Sequence, residues 1–168
     1  MNAIVIYRSR TGFTKRYAQW LAEDLGCEAA AYEDRDKVEL SGFDTVLYGD
    51  FLHAGALKGL DWLKAKLPEL EGKRVAVFAV GACPADDPSL GPTLERSLEG
   101  VGLPCFYLRG GLDYENMGFL DKMMMKMMCA MVKKKEGPDS ETYRGISCSF
   151  DATDRASLAL LEAWARGK

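Results

Sequence analysis

Ser9, Thr11, Gly12 and Thr14 stand in the spacing Ser-x-Thr-Gly-x-Thr directly after the apolar run Ile4-Val5-Ile6-Tyr7, and the chemistry open to them is to hold a phosphate. A glycine lets the backbone approach an anion closely. The helical pattern that begins at Phe13 leaves its first N–H groups without partners at the positive end of the helix dipole. Three hydroxyls add neutral donors, and Arg10 lies inside the same turn. A nucleoside triphosphate loop would need Gly-x-x-x-x-Gly-Lys-Ser/Thr, which is absent. The same hydroxyls would also suit an ordinary strand-to-helix turn as caps, so the rest of the chain has to decide.

Few other residues compete for chemistry. His53 is the one histidine, too few for a Ser/His/Asp triad, though it could hydrogen-bond to a ligand or carry a proton. Cys27, Cys83, Cys105, Cys129 and Cys148 are scattered without a Cys-x-x-Cys pair, so neither structural zinc nor a disulfide framework is expected. Cys83 has no resolving cysteine or basic neighbour, and Asp86 and Asp87 beside Pro88 read as turn residues.

The elements that must carry these residues follow from hydrophobic period. Ala3 to Tyr7 reads as a buried strand, followed by a helix with Phe13, Tyr17, Trp20, Leu21 and Leu25 on one face. A second strand is expected at Cys27 to Tyr32, a solvated connection with room for a helical turn at Glu33 to Glu39, and a third strand at Thr45 to Gly49. Asp50 to Gly55 reads as a loop, and the helix after it turns Leu57, Leu60, Leu63 and Leu67 inward until Pro68. Val75 to Val80 is apolar at every position, as befits a central parallel strand covered on both faces. Gly81 to about Gly91 is a further loop, then come a helix using Leu94, Leu98 and Val101 and a fifth strand at Cys105 to Leu108. About thirty residues, 110–143, then interrupt the alternation before a closing helix that starts near Asp151. Five short strands separated by helices make an α/β, three-layer sandwich with parallel order 2-1-3-4-5, in one domain over residues 1–168 with an insert at about 110–143. Ligands of such sheets sit at the carboxyl ends of the strands, which selects the loops at 8–14, 50–55 and 81–91.

At 168 residues, 48% hydrophobic and 28% charged, the chain can bury one core. A net charge of -3 offers no global attraction to nucleic acid, which is not expected as a partner. The start Met-Asn-Ala-Ile-Val-Ile-Tyr-Arg has neither a basic stretch nor a long apolar run, so a cytoplasmic location is expected.

With the turn, the five strands and the two further loops in place, the chain resembles the flavodoxin family, whose first turn binds the terminal phosphate of FMN. The resemblance implies FMN as cofactor, held by Ser9, Arg10, Thr11, Gly12, Phe13 and Thr14 at its phosphate, and flanked at its ring by backbone groups of Asp50, Phe51, Leu52, His53, Ala54, Gly81, Ala82 and Cys83. It implies no metal. Phe51 or Leu52 would pack on one ring face, while the loop from Gly81 to Asp87 has no aromatic to cover the other. His53 is the one catalytic candidate.

Gly110-Gly111-Leu112-Asp113-Tyr114 and the following Phe119 to Met128 also resemble the insert of flavodoxin-type, quinone-linked protoporphyrinogen oxidases. That likeness implies an FMN-dependent oxidoreductase acting on a porphyrinogen or a quinone. Two alternatives remain: a flavodoxin-type electron-transfer protein serving a redox partner without a substrate of its own, and a flavodoxin-like binding protein that uses no flavin. In the insert, Lys122, Lys126 and Lys133 share a narrow helical arc while methionines and Phe119 cover most of the rest. Met117 to Lys135 could therefore dock at an anionic membrane surface, pair with a second copy in a homodimer, or serve as a lid.

Overall fold

A computed structural model describes residues 2–168; Met1, the first residue of the expected domain, lies outside them. The chain runs β1 (Ala3–Tyr7), α1 (Phe13–Leu25), β2 (Glu28–Ala31), β3 (Thr45–His53), β4 (Ala56–Leu57), α2 (Leu60–Lys66), β5 (Arg74–Gly81) and α3 (Leu90–Ser97). It continues with β6 (Cys105–Arg109), β7 (Gly111–Leu112), α4 (Phe119–Glu136), α5 (Glu141–Ser147), β8 (Phe150–Asp151) and α6 (Ala159–Ala165). The parallel sheet has the order β2-β1-β3-β5-β6, which is 2-1-3-4-5 once the parallel strands are counted alone, and β4 hangs antiparallel on β3.

Period-two side-chain placement in fully apolar strands explains the three layers. Val5, Leu47, Phe78 and Val80 point to one face and pack with Tyr17 and Leu21 of α1 and Leu161 of α6. Ile4, Ile6, Tyr48, Val77 and Ala79 point to the other and meet Leu60 and Leu63 of α2, with Leu94 of α3 partly buried against them.

Three expectations needed correction. The stretch from Asp50 to His53 is not loop: β3 runs on through it, because a hairpin with only Ala54 and Gly55 at its tip (φ 50° and 74°) folds β4 back so that Leu52 faces Leu57 and His53 faces Ala56. Leu57 is accordingly a strand residue, and α2 begins only at Leu60. The charged run after β2 does hold a helical turn, a 3-10 turn over Tyr32–Lys37, in keeping with the sequence reading. The closing helix does not start near Asp151, which sits in β8; Asp154 caps the chain there by accepting from the Ala156 N–H, and a 3-10 turn leads into α6.

The insert leaves the sheet through Gly110 and Gly111. A Cβ on Gly111 would fall 2.1 Å from the Phe150 carbonyl oxygen and 2.9 Å from the Phe13 ring, so only glycine lets β7 pass between β8 and α1. The α4 helix then packs on α5, tied by the Tyr114 hydroxyl, which donates to the Ile146 carbonyl, and by the Cys129 thiol, 3.4 Å from the same oxygen. Among the described residues no helix is long and apolar enough to cross a membrane.

Candidate functional site

The turn after β1 is shaped as an anion cradle. Gly12 holds φ 95°, where an L side chain would be strained, and no side chain caps α1. No acid stands in the first turn of α1, and the first ladder bond is the Arg16 N–H to the Gly12 carbonyl at 2.9 Å, which leaves the N–H groups of Phe13, Thr14 and Lys15 ahead of the ladder. The Ser9 hydroxyl beside them is buried and without a hydrogen-bond partner. A buried hydroxyl is costly when unpaired, and a phosphate in the turn would satisfy it together with the helix end. The residues present therefore fit the terminal phosphate of FMN.

A cleft of about 160 Å³ opens from this turn across the carboxyl ends of the strands. Its wall on the turn side is Arg10, Thr11, Phe13 and Thr14, and its floor is Phe51, Leu52, His53 and Ala54 with Gly81 and Ala82. Ten of the fourteen sequence-predicted binding residues thus face one space, while Ser9 and Gly12 form the turn that closes its end.

The side chains of the other two, Asp50 and Cys83, point away from the cleft. The carboxylate of Asp50 is fully buried and accepts from the Gly59 N–H at 2.7 Å and the Phe51 N–H at 2.9 Å, with Arg8 3.5 Å away. Burial pushes its pKa up, against the pull of those hydrogen bonds and of the Arg8 charge. Its side chain thus ties the end of β3 to the start of α2 rather than reaching a ligand. The carbonyl of Cys83 accepts from the Tyr107 hydroxyl at 2.7 Å, and its sulfur lies 3.3 Å from the same oxygen, so it faces β6. Asp87 accepts from the Ser89 N–H and hydroxyl at 2.8 and 2.6 Å, the local turn its sequence suggested.

One face of Phe51 is already occupied: the Arg8 guanidinium lies 4.9 Å from its ring centre. Opposite the floor, the insert supplies a roof of Met117, Asp121, Met124 and Met125. Asp121 joins two walls of the cleft, with one carboxylate oxygen 2.8 Å from Arg10 Nη1 and the other 3.0 Å from His53 Nε2. Reading the sequence by helical period alone missed Asp121; the signal was a solitary acid in the first two turns of a helix otherwise rich in methionine and lysine. Among the described residues no group of three or more His, Cys, Asp or Glu side chains could hold a metal ion.

No curated protein matches this chain. Solved structures with a similar trace include oxidised Flavodoxin 2 from Bacillus cereus, 21% identical over 80% of this chain and 99% of that one, at a TM-score of 0.48. A flavoprotein in complex with FMN from Lactobacillus acidophilus is 15% identical over 64% of this chain and 91% of its own, at 0.43. The model of a family described as a flavodoxin domain matches residues 4–139, which take in the phosphate turn, the parallel sheet and the roof helix, and it points to FMN as the cofactor. By that match the chain belongs to the flavodoxin domain family.

Proposed function

We propose that the chain is an FMN-dependent oxidoreductase that exchanges electron pairs with a planar apolar substrate of the quinone or porphyrinogen class at an anionic membrane surface. The observation that carries this reading is the two-sided character of α4: Met124 and Met125 line the cleft, while its outer face leaves Phe119, Leu120, Met127 and Met131 79, 70, 63 and 65% exposed. Methionine is flexible and polarisable, and it adapts to flat ligands and to acyl chains alike.

FMN, when bound, supplies the redox chemistry. The chain's own residues hold and shape. Ser9, Thr11 and the first N–H groups of α1 would hold the phosphate, and Leu52, Ala54, Gly81 and Ala82 would edge the ring. The loop after β5 is Gly81-Ala82-Cys83-Pro84, with no aromatic to cap that side, so a substrate would meet the ring there. His53 stands at the floor with a ring nitrogen able to hold a proton.

Charge favours a membrane over a second copy as the occupant of the outer face. Five lysines against Asp121 and Glu136 give α4 a net +3 on a chain of net -3, so two such faces would repel, whereas anionic headgroups attract by about 1 kcal/mol per lysine near the surface.

Two measurements test the reading. Anaerobically reduced protein mixed with a short-chain quinone should reoxidise rapidly; reoxidation only by a redox protein, and not by the quinone, would make the chain an electron carrier. Sedimentation with phosphatidylserine-containing vesicles should recover the protein in the pellet at low salt and release it at high salt; a supernatant unchanged by the vesicles counts against membrane docking, and a doubled mass in solution assigns α4 to a dimer.

A further inference from the structure

The roof helix presents large apolar side chains to solvent along most of its length, yet one residue of its first turn, Asp121, is only 9% exposed. An acid near a helix N-terminus is favoured by the dipole wherever it points, so the dipole does not account for this burial. What covers it is a pair of donors from two other elements. Arg10 comes from the phosphate turn and His53 from the end of β3, and their nitrogens lie 3.3 Å apart with the carboxylate across both. His53 Nε2 cannot donate to the carboxylate and accept from the guanidinium at once, so the arrangement that satisfies all three groups has both Arg10 and His53 donating to Asp121. Gly118, just before the helix, runs close enough to Arg10 that a Cβ there would lie 3.4 Å from Arg10 Nη2, so the start of α4 lies against the phosphate turn.

The cleft under this roof measures about 160 Å³, against roughly 300 Å³ at which ligand pockets begin. Lifting the first turn of α4 would widen the cleft for a three-ring flavin. Lifting it separates Asp121 from its two donors and leaves Arg10 and His53 facing the cleft.

We propose that Asp121 is a positioning residue that clasps the insert over the cleft and keeps Arg10 and His53 in reserve until a flavin displaces it. The inference rests on the FMN reading for its ligand, while the clasp itself is a property of the free chain. A closed form that must open first lowers apparent affinity by the fraction of open molecules. Breaking the clasp removes that penalty, so a loss of contacts produces faster binding.

Hydrogen exchange and FMN binding together decide the matter. In the free chain, amides of residues 117–125 should exchange about tenfold to a hundredfold faster in Asp121→Ala than in the parent, the loss expected for hydrogen bonds to a charged group. Asp121→Glu should restore protection, and His53→Ala should loosen the same stretch. FMN association, followed by quenching of flavin fluorescence, should speed up in Asp121→Ala by a similar factor. Amides of residues 75–81 in β5 report the core; if they also exchange faster in Asp121→Ala, the His53→Ala and Asp121→Glu chains decide in its place. Equal exchange of residues 117–125 in the parent, Asp121→Ala and His53→Ala, or slower FMN association in Asp121→Ala than in the parent, overturns the proposal. A parent that binds no FMN overturns the cofactor reading instead and leaves the free-chain exchange to judge the clasp.

Discussion

Phe78, in the middle of the strand that underlies the cleft, is fully buried, whereas Phe119, at the start of the helix that covers it, lies almost wholly in solvent. Both are large aromatic residues in regular elements bordering one site. The floor is built from strands β1, β3 and β5, apolar on both faces and packed between two helical layers. The roof is an amphipathic element tied to α5 on one side and, over the cleft, through its own Asp121 carboxylate to Arg10 and His53. Apolar burial is additive and non-directional, so the floor resists local change. One charged cluster is directional, and it can be made or broken as a unit. The floor and the roof thus differ in what holds them: additive burial in one, a few directional contacts in the other.

Replacing Phe78 by Ala would break the contrast from the floor side. The cavity should cost about 3–5 kcal/mol, read as a lower urea midpoint. A fall of less than about 1 kcal/mol would mean that the floor can collapse as readily as the roof can lift.

Ser9→Ala should separate binding from folding. The hydroxyl is buried and unpartnered, so its loss should leave the FMN-free chain as stable as before or slightly more so. Affinity for FMN, followed by fluorescence titration, should drop about tenfold to a hundredfold, or roughly 1.5–3 kcal/mol. Unchanged affinity would remove the phosphate from this turn.

Asp50 sharpens the comparison at the edge of the floor. Asn at this position turns an amide toward one of two backbone donors and should cost about 1–3 kcal/mol. The sign of its pH dependence follows from the raised pKa: protonation favours the folded chain, so that contribution is complete below the unfolded value near ~4 and is lost as pH rises through the raised value. Urea midpoints across the acid range should therefore contain a component that falls with rising pH in the parent and is missing in Asp50→Asn.

The smallest effect is expected on the roof. Met127→Ser on the outer face should change stability by no more than about 0.5 kcal/mol yet weaken recovery with anionic vesicles. Equal losses of stability from Met127→Ser and Phe78→Ala would abolish the distinction between roof and floor.

Much of this was legible in the residues themselves. The uninterrupted apolar run from Val75 to Val80 required a strand covered on both sides, and with four similar runs it implied the parallel order that the sheet has. Ser9, Thr11, Gly12 and Thr14 pointed to the turn where Gly12 takes φ 95° and the Ser9 hydroxyl lacks a partner, because donors and freedoms are local properties of a turn. The hairpin at Ala54 and Gly55 was not legible, since Ala54 takes a positive φ that its own chemistry disfavours and that the pairing of β4 on β3 imposes. For the same reason Asp50, which looked like part of a ligand loop, turned out to bond backbone groups of the core.

What the sequence determined by itself was periodicity and local chemistry: which stretches become strands or helices, which turn can hold a phosphate, and which helix carries both methionine and lysine. These depend on neighbours within about one turn of helix or two residues of strand, so they are written along the chain. Only the tertiary structure decided that Asp121, 111 residues from Arg10 and 68 from His53, lies against both. Contacts across such separations depend on how the insert leaves the sheet at Gly110 and Gly111 and on where α5 lets α4 rest, and no short-range pattern encodes either.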